Sequence, residues 1–352
     1  MAGKNTISID IGTFNTKITV GRFHKGNIYV EKALMLETTK GSIVDGSLVL
    51  EERKAEDFKQ NLVQALSMNK IKYRDAIFTI QSTSIIRREL DVPNVKASDM
   101  KSMIGYEIEQ YLPIDLNDYI IEYKVTEEKK DNKSKILIAA MPKTMADDYI
   151  ALIKSIKLEP KALDINSNAV SKLLSFKQQI NDVPINLDHT IAFIDLGHSN
   201  SNILILSKGM FQFSRLVAWG GKDLTEAIAD AFDVSFQEAE RKKISEVNLS
   251  ISGTSPEPVT MNQVTRNIIS RWTEDILRIF QYYKTRNANN DINEIYLYGG
   301  TSNLRGITNF IESTASIPTK QVKTLSSVIL DKQLANIELE YYLNSIGAII
   351  RK

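Results

Sequence analysis

The chain lacks cysteine altogether, and histidine and long apolar runs are scarce. Its 352 residues contain no Cys and only three His. Without cysteine, disulfides, thiolate chemistry and zinc–thiolate sites are excluded. The three histidines lie far apart in the sequence and offer no metal-ligand spacing. No uninterrupted apolar stretch reaches membrane-spanning length, so we expect no transmembrane helix.

An excess of charge of either sign is also missing. The sequence has 44 Lys and Arg against 43 Asp and Glu, a formal net charge of +1. This balance gives no electrostatic reason to expect attraction to nucleic acid or to bulk membrane. The N-terminus enters an apolar strand without a basic leader, so we expect a cytoplasmic protein. A chain of this length is expected to form two or more subdomains.

A short motif occurs twice, once near the start of each half of the chain. In each copy an apolar run ends in Asp-x-Gly, passes through small polar residues and returns to an apolar run, a pattern that predicts a β-hairpin. The first copy contains Asp10, Gly12, Thr13, Asn15, Thr16 and Lys17. The second contains Asp195, Gly197, His198, Ser199, Asn200 and Ser201.

Such a hairpin tip can bind phosphate through backbone N–H groups. The aspartate before the turn can hold a hydrated Mg²⁺ through its waters. One copy alone is better explained by an ordinary hairpin with turn-favouring residues. Two copies predict duplicated domains that close on one nucleotide.

Two glycine pairs and one charged pair add to this pattern. Gly299 and Gly300 follow an apolar strand and precede Thr301, so that a base or an α-phosphate could approach the backbone closely. The second pair, Gly220–Gly221, stands at a predicted helix start, where N–H groups can face an anion. Glu240 and Lys243 are one helical turn apart, which also fits an ordinary surface ion pair.

The order hairpin, hairpin, strand–Gly-Gly–helix resembles the actin-like ATPase superfamily, which includes actin, FtsA, MreB, sugar kinases and heat-shock chaperones. The resemblance implies an α/β fold of two lobes built on duplicated ribonuclease-H-like domains, with ATP or ADP and Mg²⁺ in the cleft. It implies that Asp10 and Asp195 flank the metal through water, and that Lys17 lies on the β/γ-phosphates. Glu240 would then accept from the ribose hydroxyls, with Lys243 beside it.

Several stretches resemble one family within that superfamily, the PilM proteins of type IV pilus assembly. They are Phe213–Arg215 with Gly220-Gly221-x-Asp223, Ile108–Pro113 with Tyr119–Tyr123, and Ala239-Glu240-x-x-Lys243. The similarity covers nearly the whole chain. It implies an FtsA-type α+β insert and a partner, the cytosolic N-terminal tail of PilN, which docks between the first lobe and the insert. It also implies contact with the pilus inner-membrane platform and its assembly ATPases, without nucleic acid or direct membrane insertion.

The predicted groove for this tail is apolar. Its candidate lining residues are Ile80, Ile85, Ile104 and Ile108. An apolar stripe suits peptide anchoring, but for each of these residues core packing is the simpler explanation. The predicted domains are residues 1–82 with 161–188 and 335–352 for the first lobe, 83–160 for the insert, 189–221 with 262–334 for the second lobe, and 222–261 for a small subdomain.

Hydrolysis is expected to be slow or negligible, so that the chain is at most a weak ATPase. In actin-like ATPases a carboxylate or amide near the helix before the second hairpin aligns the attacking water. Here residues 164–169 contain no Glu or Gln, and Asn166 is short for this role. The same stretch is predicted to begin a helix over residues 163–177.

Two alternatives remain open on the residues alone. A small-molecule kinase of the superfamily needs a positioned base for its acceptor hydroxyl, and no residue stands out for that role. An FtsA-like division ATPase would continue past its closing helix to a basic amphipathic anchor. The sequence stops at Lys352 directly after that predicted helix, which favours recruitment to the membrane through a protein partner.

Overall fold

The computed structural model describes residues 4–49, 51–93, 97–111, 115–128, 133–175, 179–250, 256–287 and 290–351. Pro113, predicted to end a helix, and the side chain of Ser98, predicted to cap the same helix, lie outside the described residues.

The described residues form eighteen strands and nine α-helices. The strands are β1 Thr6–Ile11, β2 Asn15–His24, β3 Asn27–Glu37, β4 Ile43–Val44, β5 Ser47–Leu48, β6 Asp75–Ile80, β7 Ile86–Pro93, β8 Tyr119–Glu128, β9 Lys133–Pro142, β10 Glu159–Ile165, β11 Gln179–Ile180, β12 Val183–Pro184, β13 Thr190–Leu196, β14 Ser201–Ser207, β15 Met210–Val217, β16 Glu294–Tyr298, β17 Thr319–Gln321 and β18 Val328–Leu330. The helices are α1 Glu52–Met68, α2 Ala97–Tyr111, α3 Lys143–Ser155, α4 Asn166–Leu174, α5 Gly221–Phe232, α6 Phe236–Glu246, α7 Pro256–Arg286, α8 Ile307–Ala315 and α9 Leu343–Ala348.

The first lobe is built on a sheet in the order β10-β6-β1-β2-β3-β18. Strands β1, β2 and β3 form an antiparallel meander, while β6 and β10 run parallel to β1. Alternate apolar residues of the first hairpin, among them Ile7, Ile9 and Ile18, are completely buried. The first sequence motif is therefore a hairpin fixed in register by its buried face.

The second lobe repeats this topology. Its sheet has the order β15-β14-β13-β16-β17, again with an antiparallel meander followed by strands parallel to the first. Every residue of β13 and β14 is buried, because helices cover one face of the sheet and the other lobe covers the second. The duplicated fold predicted from the two motifs is confirmed.

The insert is a three-stranded antiparallel sheet, β7-β9-β8, covered by α2. Its small core contains Val92, Ile104, Ile108 and Ile136. The next helix, α3, falls within the insert by the predicted boundaries. In the structure it buries Met145, Tyr149 and Ile153 against the core of the first lobe; the boundaries themselves remain a prediction.

A single core lies between the two lobes. It joins Ile28 and Val30 of the first sheet to Phe193 and Leu204 of the second, with α4 and α9 packed between them. The lobes are therefore connected by shared apolar packing as well as by the chain.

The segment before α4 differs from the sequence prediction. A helix was expected over residues 163–177, but residues 159–165 form strand β10, parallel to β6. Pro160 within the segment and the packing of Leu163 against the first-lobe core both favour an extended edge strand. The helix begins only at Asn166.

Candidate nucleotide-binding cleft

The aspartates of the two motifs meet across the cleft. Asp10 lies near the end of β1, and Asp195 occupies the same place in β13. The side-chain amide of Asn344, in α9, donates from Nδ2 to Asp195 Oδ2 at 2.9 Å and to Asp10 Oδ2 at 3.5 Å. One amide group thus bridges equivalent carboxylates of the two lobes.

Both carboxylates are held away from bulk water. Asp10 is 2% exposed and Asp195 is 7% exposed. Asp10 also accepts hydrogen bonds from Thr79 Oγ1 and Asn166 Nδ2, both at 3.3 Å. Burial raises the pKa of Asp195 to about 6; the hydrogen bond from Asn344 opposes this shift and the negative charge of Asp10 adds to it. A cation at this point would relieve the unfavourable burial of two carboxylates.

The positive charge of Lys17 offsets part of the negative charge of the two carboxylates. It pairs with Asp10 across the first hairpin, and its Nζ lies 3.9 Å from Asp10 Oδ2. The side chain is 17% exposed, so the ammonium group borders the cleft while its stem packs within the hairpin.

The two hairpin tips touch each other. Thr13 Oγ1 and Ser199 Oγ are 2.8 Å apart, and the rings of Phe14 and His198 stack with centroids 4.7 Å apart. Each tip needs glycine: a Cβ on Gly12 would lie 2.8 Å from the carbonyl oxygen of Asn15, and one on Gly197 would lie 2.4 Å from that of Asn200. The tips can therefore present backbone N–H groups to an anion from both sides of the cleft.

The Gly299–Gly300 turn passes directly behind Asp195. Gly299 has φ +83°, and a Cβ there would lie 2.3 Å from Asp195 Oδ1. A Cβ on Gly300 would lie 3.2 Å from the ring of Tyr341. Only glycine fits the first position, since it requires both left-handed backbone and close approach to a carboxylate.

Glu240 and Lys243 belong to a buried network. Lys243 Nζ donates to Glu240 Oε2 at 2.8 Å, to Thr225 Oγ1 at 2.8 Å and to the carbonyl oxygen of Gly221 at 3.0 Å. Burial lowers the pKa of Lys243, and the charge of Glu240 opposes that shift. A solvated surface pair would not have these additional partners, so the pair is a fixed part of the cleft wall.

These elements enclose one cavity of about 310 Å³ between the lobes. Most of the predicted nucleotide residues line it: Asp10, Gly12, Thr13, Asn15, Lys17, Asp195, Gly197, His198, Ser199, Asn200, Glu240, Lys243, Gly299, Gly300 and Thr301. Four others do not. Thr16 bonds Thr38, Ser201 is buried in β14, and Gly220 and Gly221 pack behind His198 and Thr301.

Several lining residues were not predicted as ligands. Asn344 and Tyr341 come from the C-terminal region, Gln81 from the end of β6, and Ile244 and Leu304 from the second-lobe side. The Oδ1 atoms of Asn344 and Asn166 and the Oε1 atom of Gln81 are buried without a hydrogen-bond partner. Among these residues the sequence singles out only Asn166. It lies near the helix before the second hairpin, where actin-like ATPases place the side chain that aligns the attacking water.

The four candidate groove residues are all buried. Ile80 and Ile85 are at most 4% exposed and belong to the first-lobe core, and Ile104 and Ile108, also at most 4% exposed, belong to the core of the insert. Their side chains pack inside two separate cores and do not line an open groove.

We expect His198 to make stability depend on pH. Burial lowers its pKa to about 4, and the positive charge of Lys243 adds to the shift. The unfolded chain takes up a proton near the ordinary pKa of about 6.5, whereas the folded chain does not. The contribution of His198 to the free energy of unfolding should therefore be lost between about pH 6.5 and 4, by about 1–2 kcal/mol after allowance for partial exposure. Asp195, whose pKa burial raises to about 6, contributes with the opposite sign in the same window, so the difference between wild type and a His198 variant isolates the histidine.

Denaturant titrations across this pH range check the prediction. His198→Phe keeps a ring against Phe14, and its unfolding free energy should lack this part of the pH dependence. His24→Phe is the matched control and should retain it. Equal pH profiles for wild type and His198→Phe would contradict the assignment.

The described residues show no helix long and apolar enough to cross a membrane. They also show no cluster of three or more His, Cys, Asp or Glu side chains able to hold a metal ion. A divalent cation at Asp10 and Asp195 would therefore take most of its ligands from water and from a bound anion.

The repeated sheets, the shared core and the interlobe cavity define a protein of the two-lobed actin-like ATPase fold. Within that class the chain belongs to the PilM family, since the family model described as type IV pilus assembly protein PilM matches residues 8–347. The family predicted from the sequence is confirmed.

Known proteins resemble this chain at low sequence identity. The structure of a PilM–PilN type IV pilus biogenesis complex matches with a TM-score of 0.82 and 17% identity, over 98% of this chain and 97% of that chain. MreB 5 of Spiroplasma citri bound to AMPPNP matches with a TM-score of 0.52 and 12% identity, over 98% and 94%. The cell division protein FtsA of Bacillus subtilis (strain 168) is 24% identical over 306 residues, 78% of this chain and 68% of that protein.

Proposed function

We propose that this chain is an actin-like adaptor of type IV pilus assembly that binds Mg-ATP in its cleft and the cytosolic N-terminal tail of PilN at the insert. The observation that carries the nucleotide part is the convergence of Asp10 and Asp195 on Asn344. Two buried carboxylates that face each other are electrostatically costly, and a cation bound beside them would offset that cost.

The residues present fit a magnesium nucleotide. Two buried carboxylates provide anchors for a hydrated Mg²⁺. The glycine turns leave space that a Cβ would fill, and the partnerless Oδ1 atoms of Asn166 and Asn344 can accept from metal-bound water. The bound cation supplies charge neutralisation for the phosphates.

Each wall of the cavity has a role in this proposal. Backbone N–H groups of the two hairpin tips hold phosphate oxygens, and Lys17 offsets their charge. Glu240, held in place by the hydrogen bond from Lys243, accepts from ribose hydroxyls. Ile244 and Leu304 offer an apolar surface for the base.

We further propose that hydrolysis is slow. Two amides, Asn166 and Gln81, border the cavity near the end of the first-lobe sheet, and an amide can orient a water but cannot take its proton. The nucleotide then acts chiefly as a structural ligand that stabilises the closed lobes by mass action.

The partner part rests on the family and on the complex named in the structural match. The family resemblance implies that PilN is an inner-membrane protein, so the adaptor would be recruited to the inner face of the membrane through it. The burial of Ile85 and Ile108 makes them unsuitable as contact probes, because a charge there would disrupt a core. Tyr106, 64% exposed on α2 of the insert, is an accessible alternative.

Calorimetric titration tests both parts. The purified protein is titrated with ATP in Mg²⁺ or in EDTA, and then with a synthetic peptide of the PilN tail. We expect ATP binding that weakens without Mg²⁺, and peptide binding that Tyr106→Ser reduces. Tyr282→Ser, which alters another exposed tyrosine, 47% exposed on α7 of the second lobe, is the matched control and should bind the peptide normally.

The two parts can fail separately. ATP binding without peptide binding in either nucleotide state would reject the adaptor role and favour the division or kinase alternatives. Peptide binding without ATP binding would reject the nucleotide role of the cleft.

A further inference from the structure

Six cations lie together at one edge of the first lobe, which we call the basic edge. Its members are Lys25, Lys70, Lys72, Arg74, Lys154 and Lys157, and all are exposed. They come from three separate segments of the chain, so the grouping is not visible in the sequence. Only the fold brings them together.

Sheet topology explains the grouping. Strands β6 and β10 run parallel to β1, so the turns that precede them lie at the same edge of the sheet. The turn between β2 and β3, which holds Lys25, also falls there because β2 runs antiparallel to β1. A backbone hydrogen bond of 2.8 Å from Glu159 N to the carbonyl oxygen of Arg74 joins two of the turns directly.

The carboxylates at this edge are already paired. Asp75 lies 2.9 Å from Lys4 Nζ and 3.3 Å from Lys161 Nζ, and Glu159 lies 3.1 Å from the same Lys161. None of the six cations of the basic edge forms an ion pair within the described part of the chain. Elsewhere several lysines pair with a carboxylate three or four residues away, as Lys59 and Lys222 do.

Favourable interactions with helix dipoles explain only some of these cations without an ion pair. Lys70 follows the C-terminus of α1, and Lys154 and Lys157 close α3, so these three charges complement helix dipoles. Lys25, Lys72 and Arg74 have no such role. Since the whole chain has a net charge of +1, the residues outside the basic edge together carry a net negative charge.

We propose that the basic edge binds the surface of a membrane containing anionic phospholipid, independently of nucleotide and of PilN. Each Lys or Arg held near an anionic lipid surface contributes about 1 kcal/mol of attraction, so six on one edge can hold a protein at that surface. Met68, which lies two residues before Lys70, is 72% exposed and would meet the headgroup region together with the lysines. The edge faces away from the nucleotide cavity, which lies at the opposite ends of β1 and β6.

Nucleic acid fits the basic edge less well. The ring of Tyr73, the aromatic residue within this group of turns, has its hydroxyl bonded to Glu31 Oε2 at 2.7 Å and accepts from Asn5 at 2.8 Å, so it is not presented for base stacking. The net negative charge of the residues outside the basic edge would also repel a long polyanion. A membrane surface contacts one edge alone and does not meet this repulsion.

Vesicle sedimentation with the full chain tests the proposal, without nucleotide or PilN peptide. Vesicles of phosphatidylcholine are compared with vesicles that also contain phosphatidylglycerol. Binding is expected only to the anionic vesicles and should disappear at high salt. The double substitution Lys70→Glu/Lys157→Glu should lower the partition coefficient roughly tenfold or more.

The matched control is Lys208→Glu/Lys332→Glu, which makes the same change in net charge at exposed turns away from the basic edge. Lys70, Lys157 and Lys208 all have positive φ, at 52°, 61° and 53°, so backbone strain is comparable. The control should bind anionic vesicles nearly as well as wild type. Thermal melts verify folding, and Lys25→Glu/Lys72→Glu replaces the first pair if that variant does not fold.

Three results would overturn the proposal: equal binding to neutral and anionic vesicles, equal loss in the test and control variants, or retention of duplex DNA with no vesicle binding. Peptide and ATP titrations of the same variants should be unchanged. Failure of lipid binding is thereby distinguished from failure of the adaptor function.

Discussion

Replacing Lys17 with methionine should weaken the binding of Mg-ATP by roughly tenfold to a hundredfold while the chain remains folded. A charge-assisted contact to phosphate contributes about 1.5–3 kcal/mol, and a change of 1.4 kcal/mol is about tenfold in affinity. Methionine has a similar length and keeps the apolar stem in the hairpin. Asp10 retains its hydrogen bonds from Thr79 and Asn166.

Calorimetry or displacement of a fluorescent nucleotide measures this effect. Lys32→Met is a suitable control, because Lys32 lies on β3 of the same sheet but does not line the cavity. Adenosine, which has no phosphate, should bind both variants and the wild type alike. Equal weakening of adenosine and ATP in Lys17→Met would show that the lysine supports the fold of the cleft and does not contact phosphate.

Replacing Gly347 with alanine should destabilise the protein by about 3 kcal/mol, in the upper range for overpacking. A Cβ at Gly347 would lie 2.2 Å from the carbonyl oxygen of Ala169 and 2.6 Å from its carbonyl carbon. Both are backbone atoms of α4, so the added methyl can be accommodated only if α9 moves away. That movement disturbs the core shared by the two lobes and displaces Asn344, one helical turn earlier.

A glycine-to-alanine substitution in another helix, α2, provides the control. Gly105 lies in α2, where a Cβ would meet only Leu116 Cδ1, at 3.4 Å. Gly105→Ala should therefore be neutral or stabilising, by up to about 1 kcal/mol, because alanine favours the helix. Unfolding in denaturant measures both. Similar values for the two variants would show that α9 does not depend on contact with the α4 backbone.

The parts of the fold that sequence analysis predicted are those with local patterns. Both hairpins and the Gly299–Gly300 turn follow from apolar alternation and glycine placement over a few residues. The domain duplication follows from finding one such pattern twice. Strand β10 was missed because its extended form depends on pairing with β6, which lies far away in the sequence.

The residues of the candidate site likewise divide into those that local motifs predict and those that they do not. Asp10, Asp195 and the glycines belong to motifs, so their grouping could be predicted. Asn344 and Gln81 belong to none, and they border the cleft because α9 and the end of β6 reach it. Ile85 and Ile108 show the limit of an apolar pattern, since apolarity alone does not distinguish a groove from a core. The net charge likewise gave no indication of the basic edge, because the sheet topology is what brings its cations together.

The bridge made by Asn344 also has a consequence for synthesis. All other residues that line the cavity precede α9 in the chain, so a ribosome has translated both lobes before the residue that connects the two aspartates emerges. The core between the lobes is likewise incomplete until Leu343 and Ile346 have been synthesised. Each lobe can begin to fold co-translationally, but ligand-competent closure should be a late event. Nascent chains stalled before α9 should therefore be retained poorly by nucleotide resin, in contrast to chains in which that helix has left the exit tunnel.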